Sequence, residues 1–224
     1  NQNLFGSHDT NRIGSYIVNR DLGNFRDWGK WFQMSQPVNN PNYRVRKPNA
    51  AELQLQKLFV VLQMTYVGAP MVYYGDEVGM WGANDPDDRK PMIWPDIGYE
   101  KERALPNQTL RPEADADSVM QNLELRAFYK KLIAIRLSHP ALRTGSYQTL
   151  LADNAADVFA YQRREGDDVV WVILNNSSAP RILKLPSLGF SGFKSLMDDA
   201  SFTAKNNRLQ LTIPAKQGLV VSVQ

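Results

Sequence analysis

The hydrophobic pattern of this chain changes once, near Thr144–Ser146, and this change constrains the fold more than any other feature. Before it, apolar residues at 50–67 and again at 121–138 recur every three or four positions, which predicts two amphipathic helices. After it, apolar and polar residues alternate, which is typical of β-strands. We therefore predict an α/β part at 1–145 and an all-β part, an antiparallel β-sandwich, at 146–224.

The all-β part contains a clear hairpin. Two apolar runs, 158–164 and 169–174, flank the turn-forming segment Glu165–Asp168. Trp171 lies within the second run, so we interpret it as a core residue rather than as an exposed binding platform. Four further short runs follow at 181–185, 193–197, 208–213 and 219–223. With these six runs, we predict a sandwich of about seven strands.

The α/β part has the order strand, helix, strand. An apolar pair, Leu4–Phe5, precedes the helix at 50–67, and the apolar run 70–75 follows it. Strands that are apolar throughout are typical of a parallel sheet covered on both faces, so this order predicts a βαβ unit. Because a two-stranded parallel remnant is not stable alone, we expect its open edge to be covered by an upstream part of the chain, by another copy or by a rearrangement that hides the edge.

Two long loops, 24–42 and 79–118, are predicted beside these strands. In the first loop Trp28 and Trp31 are three residues apart, so a helical turn would put them on one face. They would form either a platform for a flat ligand ring or a small satellite core under the loop. Long loops of this kind are typical of a functional surface.

The first predicted strand opens at Gly6 into a polar loop, a position where chemistry is often done. Its residues His8 and Asp9 are adjacent, and only an irregular turn would aim both side chains at one ligand. Asp9 would then stabilise developing positive charge, and His8 would hydrogen-bond a hydroxyl. The alternative is that Asp9 caps the following turn and His8 is a partly buried loop residue.

The composition argues against several classes of function. The 26 basic and 23 acidic residues leave a net charge of +3, and the basic residues are scattered, so we expect no nucleic-acid partner. There is no cysteine and no run near the roughly 20 apolar residues that span a bilayer, so we expect no thiolate metal site and no membrane partner. We expect a soluble protein, with cytoplasmic and periplasmic locations both open.

Because the residues after Asn1 already resemble the inside of a strand, we also expect a C-terminal piece of a longer chain.

Three stretches, taken in order, resemble the last part of the α-amylase family of glycoside hydrolases. They are Leu4–Arg12, Met71–Gly79 and Asn84–Trp94, and they are most similar to the cyclomaltodextrinase and neopullulanase branch. The resemblance implies a retaining hydrolase of α-1,4-glucosidic bonds in maltodextrins, cyclodextrins, starch or pullulan. It also implies that 1–145 is the C-terminal portion of a (β/α)₈ barrel, strands 7 and 8 with their helices, and that 146–224 is a β-sandwich domain.

The resemblance also implies roles for individual residues. Asp9 matches the carboxylate that stabilises the transition state, and His8 matches a histidine that hydrogen-bonds the sugar beside the scissile bond. Asp85 and Arg89 match a pair that grips the next sugar on the non-reducing side. For Arg12 two roles stay open, lining of the pocket and a structural salt bridge.

The family's nucleophile and general acid lie on strands 4 and 5, which would be upstream of Asn1. Asp76 and Glu77 lie past strand 8, on the wrong strand for either role. The resemblance therefore implies that the 224-residue chain alone is inactive. A non-catalytic barrel homologue or a carbohydrate-binding fragment is the alternative. We expect no cofactor and no metal site in this chain, and a structural calcium would belong to the upstream part.

Overall fold

The computed structural model describes residues 1–22 and 27–224. The helices in these ranges are α1 (Ile13–Val18), α2 (Trp28–Met34), α3 (Ala50–Thr65), α4 (Leu123–Ser138) and α5 (Pro140–Arg143), with short 3₁₀ turns at Asp76–Val78, Asp87–Arg89 and Glu113–Asp115. The strands are β1 (Gln2–Leu4), β2 (Ala69–Met71), β3 (Ser146–Asp153), β4 (Val158–Glu165), β5 (Asp168–Asn175), β6 (Arg181–Pro186), β7 (Gly192–Ser195), β8 (Ser201–Thr203), β9 (Arg208–Ile213) and β10 (Gln217–Val223). Over the described ranges, every helix is too short or too polar to cross a membrane.

The chain divides into two compact units whose segments alternate along the sequence. The first unit contains Asn1–Asn3, Lys57–Pro70 and Phe128–Gln224, and the second contains Leu4–Gln56 and Met71–Ala127. Each unit is described by itself below. The domain boundary predicted at 145/146 stays a prediction.

The two long helices predicted from periodicity are present, and side chains fix where they begin. Asn49 and Glu52 form a reciprocal cap at the start of α3: Asn49 Oδ1 accepts from the Glu52 backbone N–H at 3.0 Å, and Glu52 Oε2 accepts from the Asn49 N–H at 2.8 Å. At the start of α4, Asn122 Oδ1 accepts from the Leu125 N–H at 2.9 Å. Capping residues therefore set the positions of both helices.

The strands before and after α3 form a two-stranded sheet, β1 with β2. The second strand ends at Met71 rather than at the predicted residue 75. The backbone turns there, because the Asp76 N–H donates to the Tyr73 carbonyl at 3.1 Å and Gly75 has a φ of 86°. A left-handed conformation of this kind favours glycine and ends extended structure.

The antiparallel structure predicted for 146–224 is confirmed. One sheet has the order β3-β4-β5-β10-β7-β8, a second sheet pairs β6 with β9, and all neighbouring strands are antiparallel. The β4–β5 hairpin pairs Glu165 with Asp168 around Gly166, whose φ of 59° suits the turn. This region has eight strands rather than about seven. Six of them match the six predicted runs, and the other two are β3 and the three-residue β8.

The two antiparallel sheets enclose one hydrophobic core. In β6 and β9 every second residue is buried, and these residues pack against the inner faces of β4, β5, β7 and β10. Trp171 is fully buried in this core, 4.9 Å from the Phe193 ring centroid, and its Nε1–H donates to Gln162 Oε1 at 2.9 Å. Trp171 is therefore a core residue, as its place in an apolar run predicts.

The predicted loop at 24–42 contains helix α2, and residues 24–26 of that loop lie outside the described residues. Asp27 caps the helix by accepting from the Lys30 N–H at 3.1 Å. Trp31 is buried and packs with Tyr43, whereas Trp28 is 60% exposed. The two tryptophans therefore have different environments, and only Trp31 belongs to a satellite core.

We predict that Trp171→Ala lowers the free energy of unfolding by about 4 kcal/mol, because it removes a fully buried ring and leaves Gln162 without its partner. Urea denaturation followed by circular dichroism measures this change. Ile182→Ala, on the exposed face of β6, is the control and is expected to change stability by less than about 0.5 kcal/mol. A Trp171→Ala protein that folds with near-wild-type stability but loses glucan binding would instead support a binding module.

Candidate functional site

A tight turn brings the side chains of His8 and Asp9 together. Ser7 and Thr10 close the turn: the Thr10 N–H donates to the Ser7 carbonyl at 3.4 Å, and the Ser7 N–H donates to Thr10 Oγ1 at 3.0 Å. His8 Nε2 then lies 3.0 Å from Asp9 Oδ2, and both side chains are 68% exposed. The irregular turn that the sequence requires for a joint role of these two residues is thus present.

Arg89 links this turn to Asp85. Its Nε lies 2.9 Å from Asp85 Oδ1 and also donates to the His8 carbonyl at 2.9 Å, while its Nη2 lies 3.5 Å from Asp9 Oδ1. The structure therefore gathers four of the five predicted site residues, and we call them the exposed cluster (His8, Asp9, Asp85 and Arg89). Two carboxylates, an imidazole and a guanidinium present both donors and acceptors to solvent, which is what hydroxyl-rich ligands require.

Side-chain contacts of Asn84 shape the segment that carries Asp85 and Arg89. The buried Asn84 side chain donates to Ser35 Oγ at 3.0 Å and accepts from the Asp85 N–H at 2.8 Å. The 3₁₀ turn Asp87–Arg89 follows, with the Arg89 N–H donating to the Pro86 carbonyl at 3.2 Å. This turn brings the side chains of Asp85 and Arg89, which are four residues apart, close enough to form an ion pair.

Arg12, the fifth predicted site residue, is fully buried. Its Nη1 donates to the Tyr74 carbonyl at 2.6 Å and to Asp76 Oδ1 at 3.2 Å. The guanidinium carbon also lies 4.5 Å from the Tyr73 ring centroid and 4.7 Å from that of Tyr74. Two roles were left open for Arg12, lining of the pocket and a structural salt bridge. Its contact with Asp76 is a structural salt bridge. Burial raises the pKa of the Asp76 carboxyl, and the charge of Arg12 opposes that increase.

Asp88 is a buried residue for which the sequence predicted no role. It is fully buried, and neither carboxylate oxygen accepts a hydrogen bond from another residue in the described ranges. Burial raises the pKa of Asp88 to about 6. The run Asn84–Lys90 is rich in turn-forming residues, a pattern that is typical of a solvent-exposed turn. Within the 3₁₀ turn Asp87–Arg89, Asp88 differs from both neighbours in being buried, which the sequence alone does not show.

Within residues 1–22 and 27–224, no group of three or more His, Cys, Asp or Glu side chains is arranged to hold a metal ion. The acidic residues of the exposed cluster are instead engaged with Arg89. Asp76 is buried and held by Arg12, so it does not join the exposed cluster.

Two protein families match this chain in sequence. Residues 42–145 match the alpha amylase catalytic domain, and residues 147–220 match the maltogenic amylase C-terminal domain. Neopullulanase 2 of Thermoactinomyces vulgaris is 35% identical over 167 residues, which cover 74% of this chain and 25% of the relative. A cyclomaltodextrinase of Thermoanaerobacter pseudethanolicus is 41% identical over 129 residues, covering 58% of this chain and 18% of the relative. The chain thus spans a quarter or less of these two curated relatives.

A solved structure of a cyclomaltodextrinase has a similar fold. It aligns with a TM-score of 0.65 and 26% sequence identity, over 98% of this chain and 28% of that chain. The similarity in sequence and the similarity in fold therefore point to the same group of proteins.

Because the pKa of Asp88 is raised in the folded state, we predict that the free energy of unfolding depends on pH through this residue. Because the folded state holds its proton up to about pH 6 and the unfolded state releases it near pH 4, ionisation of Asp88 destabilises the fold as pH rises between these values. Asp88→Asn removes this effect. We therefore expect the free energy of unfolding of Asp88→Asn, minus that of wild type, to rise by about 2–3 kcal/mol between pH 4 and pH 7.

Urea denaturation at pH 4, 5, 6 and 7 measures this difference. Asp115→Asn, which removes an exposed carboxylate, is the control. A flat difference between Asp88→Asn and wild type would show that Asp88 titrates normally.

Proposed function

Because the chain belongs to the α-amylase family of glycoside hydrolases, we propose that it supplies part of the active site of a retaining α-glucan hydrolase. The substrates are α-1,4-linked glucans of the maltodextrin, cyclodextrin, starch or pullulan type. The observation that carries the proposal is the exposed cluster, in which one turn holds His8 beside Asp9 and Arg89 joins both to Asp85.

Asp9 is the transition-state stabiliser in this proposal. Hydrolysis passes through a cation-like sugar, so a fixed carboxylate lowers the barrier by electrostatic stabilisation. The contacts with His8 and with the Arg89 guanidinium orient the Asp9 side chain. His8 then hydrogen-bonds hydroxyls of the same sugar.

Asp85 and Arg89 bind the next sugar on the non-reducing side. Their side chains are 41% and 47% exposed, so each keeps polar atoms free for ligand hydroxyls while the ion pair fixes their orientation. Arg89 is suited to this role because its planar fork presents several donors in a fixed geometry. Arg12 supports these residues from the interior through Asp76 and the Tyr74 carbonyl.

The nucleophile and the general acid are proposed to lie on barrel strands 4 and 5, in sequence that precedes Asn1. Within the chain, β1 and β2 correspond to barrel strands 7 and 8, α3 and α4 to the helices after them, and residues 146–224 to the C-terminal sandwich. Asp76 is unsuited to either catalytic role because it is buried and bound to Arg12.

We predict that Asp9→Asn in the full-length polypeptide lowers kcat by about 10²–10³, because the neutral amide no longer stabilises the positive charge of the transition state. The measurement is the rate of reducing-sugar release from maltotriose. The far-ultraviolet circular dichroism of the variant should equal that of wild type, because Asp9 is exposed. Asp115→Asn is the matched control, and near-wild-type activity of Asp9→Asn would remove the proposal.

The 224-residue chain by itself is predicted to release no reducing sugar from starch, pullulan, maltotriose or β-cyclodextrin, because it lacks the nucleophile and the acid. The same assay, run on the purified chain and on the full-length polypeptide, tests this. Turnover by the chain alone would contradict the assignment of the missing residues. Absence of an Asp on strand 4 and a Glu on strand 5 in the upstream reading frame would favour the non-catalytic homologue.

A further inference from the structure

We propose that Trp28 and Phe32 of helix α2 form an aromatic platform that binds one glucose ring of the substrate. This ring follows, toward the non-reducing end, the sugar that Asp85 and Arg89 bind. The inference rests on the proposed function, because the platform extends a sugar-binding surface that begins with the exposed cluster. In this proposal the two tryptophans of the loop have different roles: Trp31 anchors the helix, and Trp28 contacts the ligand.

The first argument is that hydrogen bonds attach α2 to both segments of the exposed cluster. Trp31 Nε1–H donates to Asn11 Oδ1 at 3.3 Å, and Asn11 directly follows the turn that holds two members of the cluster. At the C-terminal end of α2, the Ser35 carbonyl accepts from the Asn84 N–H at 3.1 Å, and Asn84 directly precedes the first of the other two members. All four of these residues are buried, so the bonds fix the helix beside both segments.

The second argument concerns the direction in which the two rings lie. Trp28, Trp31, Phe32 and Ser35 are spaced by three and four residues, so they share one side of α2. Trp31 and Ser35 are buried on this side, whereas Trp28 is 60% exposed and Phe32 is 37% exposed. The exposed rings therefore lie at the border of the side that is attached to the cluster, and they are neighbours of one another on the helix surface.

The third argument concerns the chemistry of the ligand. A glucose ring carries hydroxyl groups around its edge and C–H groups on its faces. The charged side chains of the exposed cluster suit the hydroxyl groups, and a flat aromatic ring packs against a C–H face and removes apolar surface from water. Adjacent aromatic side chains that remain exposed beside a polar site are typical of a ligand-binding surface. An α-glucan that extends past the exposed cluster thus meets complementary groups on α2.

The length of the substrate provides the kinetic test, on the full-length polypeptide. Maltotriose occupies the two sugar positions of the exposed cluster and the leaving-group position, whereas maltohexaose also reaches the platform. Trp28→Ala is expected to lower kcat/KM for maltohexaose about tenfold, or about 1.4 kcal/mol, which is within the range of one aromatic stacking contact. The same variant is expected to change kcat/KM for maltotriose less than about twofold. Phe32→Ala has a smaller effect in the same direction, because its ring is less exposed.

Two further variants make this test specific. Trp28→Phe keeps a flat ring and is expected to retain most of the activity on maltohexaose. Gln33→Ala removes an exposed side chain from the other side of α2 and is the control, with both substrates unaffected. Equal losses of activity on the two substrates, or no loss on either, would overturn the proposal.

A second test measures binding directly. Isothermal titration calorimetry with maltohexaose uses the full-length Asp9→Asn variant, in which turnover is expected to be slow. Addition of Trp28→Ala is expected to raise Kd about tenfold, and addition of Gln33→Ala to leave it unchanged. An unchanged Kd in the Trp28→Ala protein would overturn the platform, and a loss of dimer in size-exclusion chromatography would then identify α2 as a contact with a second copy. If wild type hydrolyses no α-glucan, the proposed function fails, and calorimetry still decides whether Trp28 binds glucan.

Discussion

The buried guanidinium of Arg12 imposes the main physical constraint on the site. A permanent positive charge without solvent must be compensated by the surrounding protein, and here it meets the Tyr74 carbonyl, the Asp76 carboxylate and the faces of two tyrosine rings. These groups lie just after β2, whereas Arg12 follows the turn after β1. Compensation of one charge therefore holds together the segments that follow both strands.

The exposed cluster depends on this interior support because its own contacts are weak. Exposed ion pairs such as Arg89 with Asp85 contribute little to stability, and salt screens them further. Local hydrogen bonds fix the two segments that carry the cluster. The Ser7 N–H and Thr10 Oγ1 close one turn, and the side-chain amide of the buried Asn84 anchors the other segment. The side chains of the exposed cluster thus remain exposed, while turns and buried groups determine where they lie.

Much of the fold follows from the sequence, because periodicity and capping are local. The β4–β5 hairpin has two apolar runs around a glycine turn, and α3 and α4 carry both the helical period and their caps. The shorter elements do not follow. Strand β8 has only three residues, too few for an alternating pattern, and α2 lies in a segment whose aromatic and proline content resembles a loop. In both, tertiary contacts decide what the local pattern leaves open.

The site divides in the same way. His8, Asp9, Asp85 and Arg89 are identified by motif resemblance, and the structure brings them together. Burial within the motif is not visible in the sequence, since it depends on how the backbone approaches other segments. Arg12 lies two residues after the polar 7–10 turn, and its position in the sequence does not show whether it is exposed or buried. The fold places it in the interior.

The three carboxylates of the 84–90 segment show why residue type alone is insufficient. Asp85 is exposed and pairs with Arg89, Asp87 accepts from the Ala83 N–H at 2.6 Å, and Asp88 is fully buried. The same type of side chain thus forms an exposed ion pair, a turn anchor and a buried carboxyl within four positions. What separates them is the 3₁₀ turn and the close approach that Gly82 permits. A larger residue at position 82 would push the backbone of Asp87 and Asp88 away, and the change would reach Arg89 through the turn. Gly82, which is not part of the exposed cluster, therefore helps to determine where Asp85 and Arg89 lie.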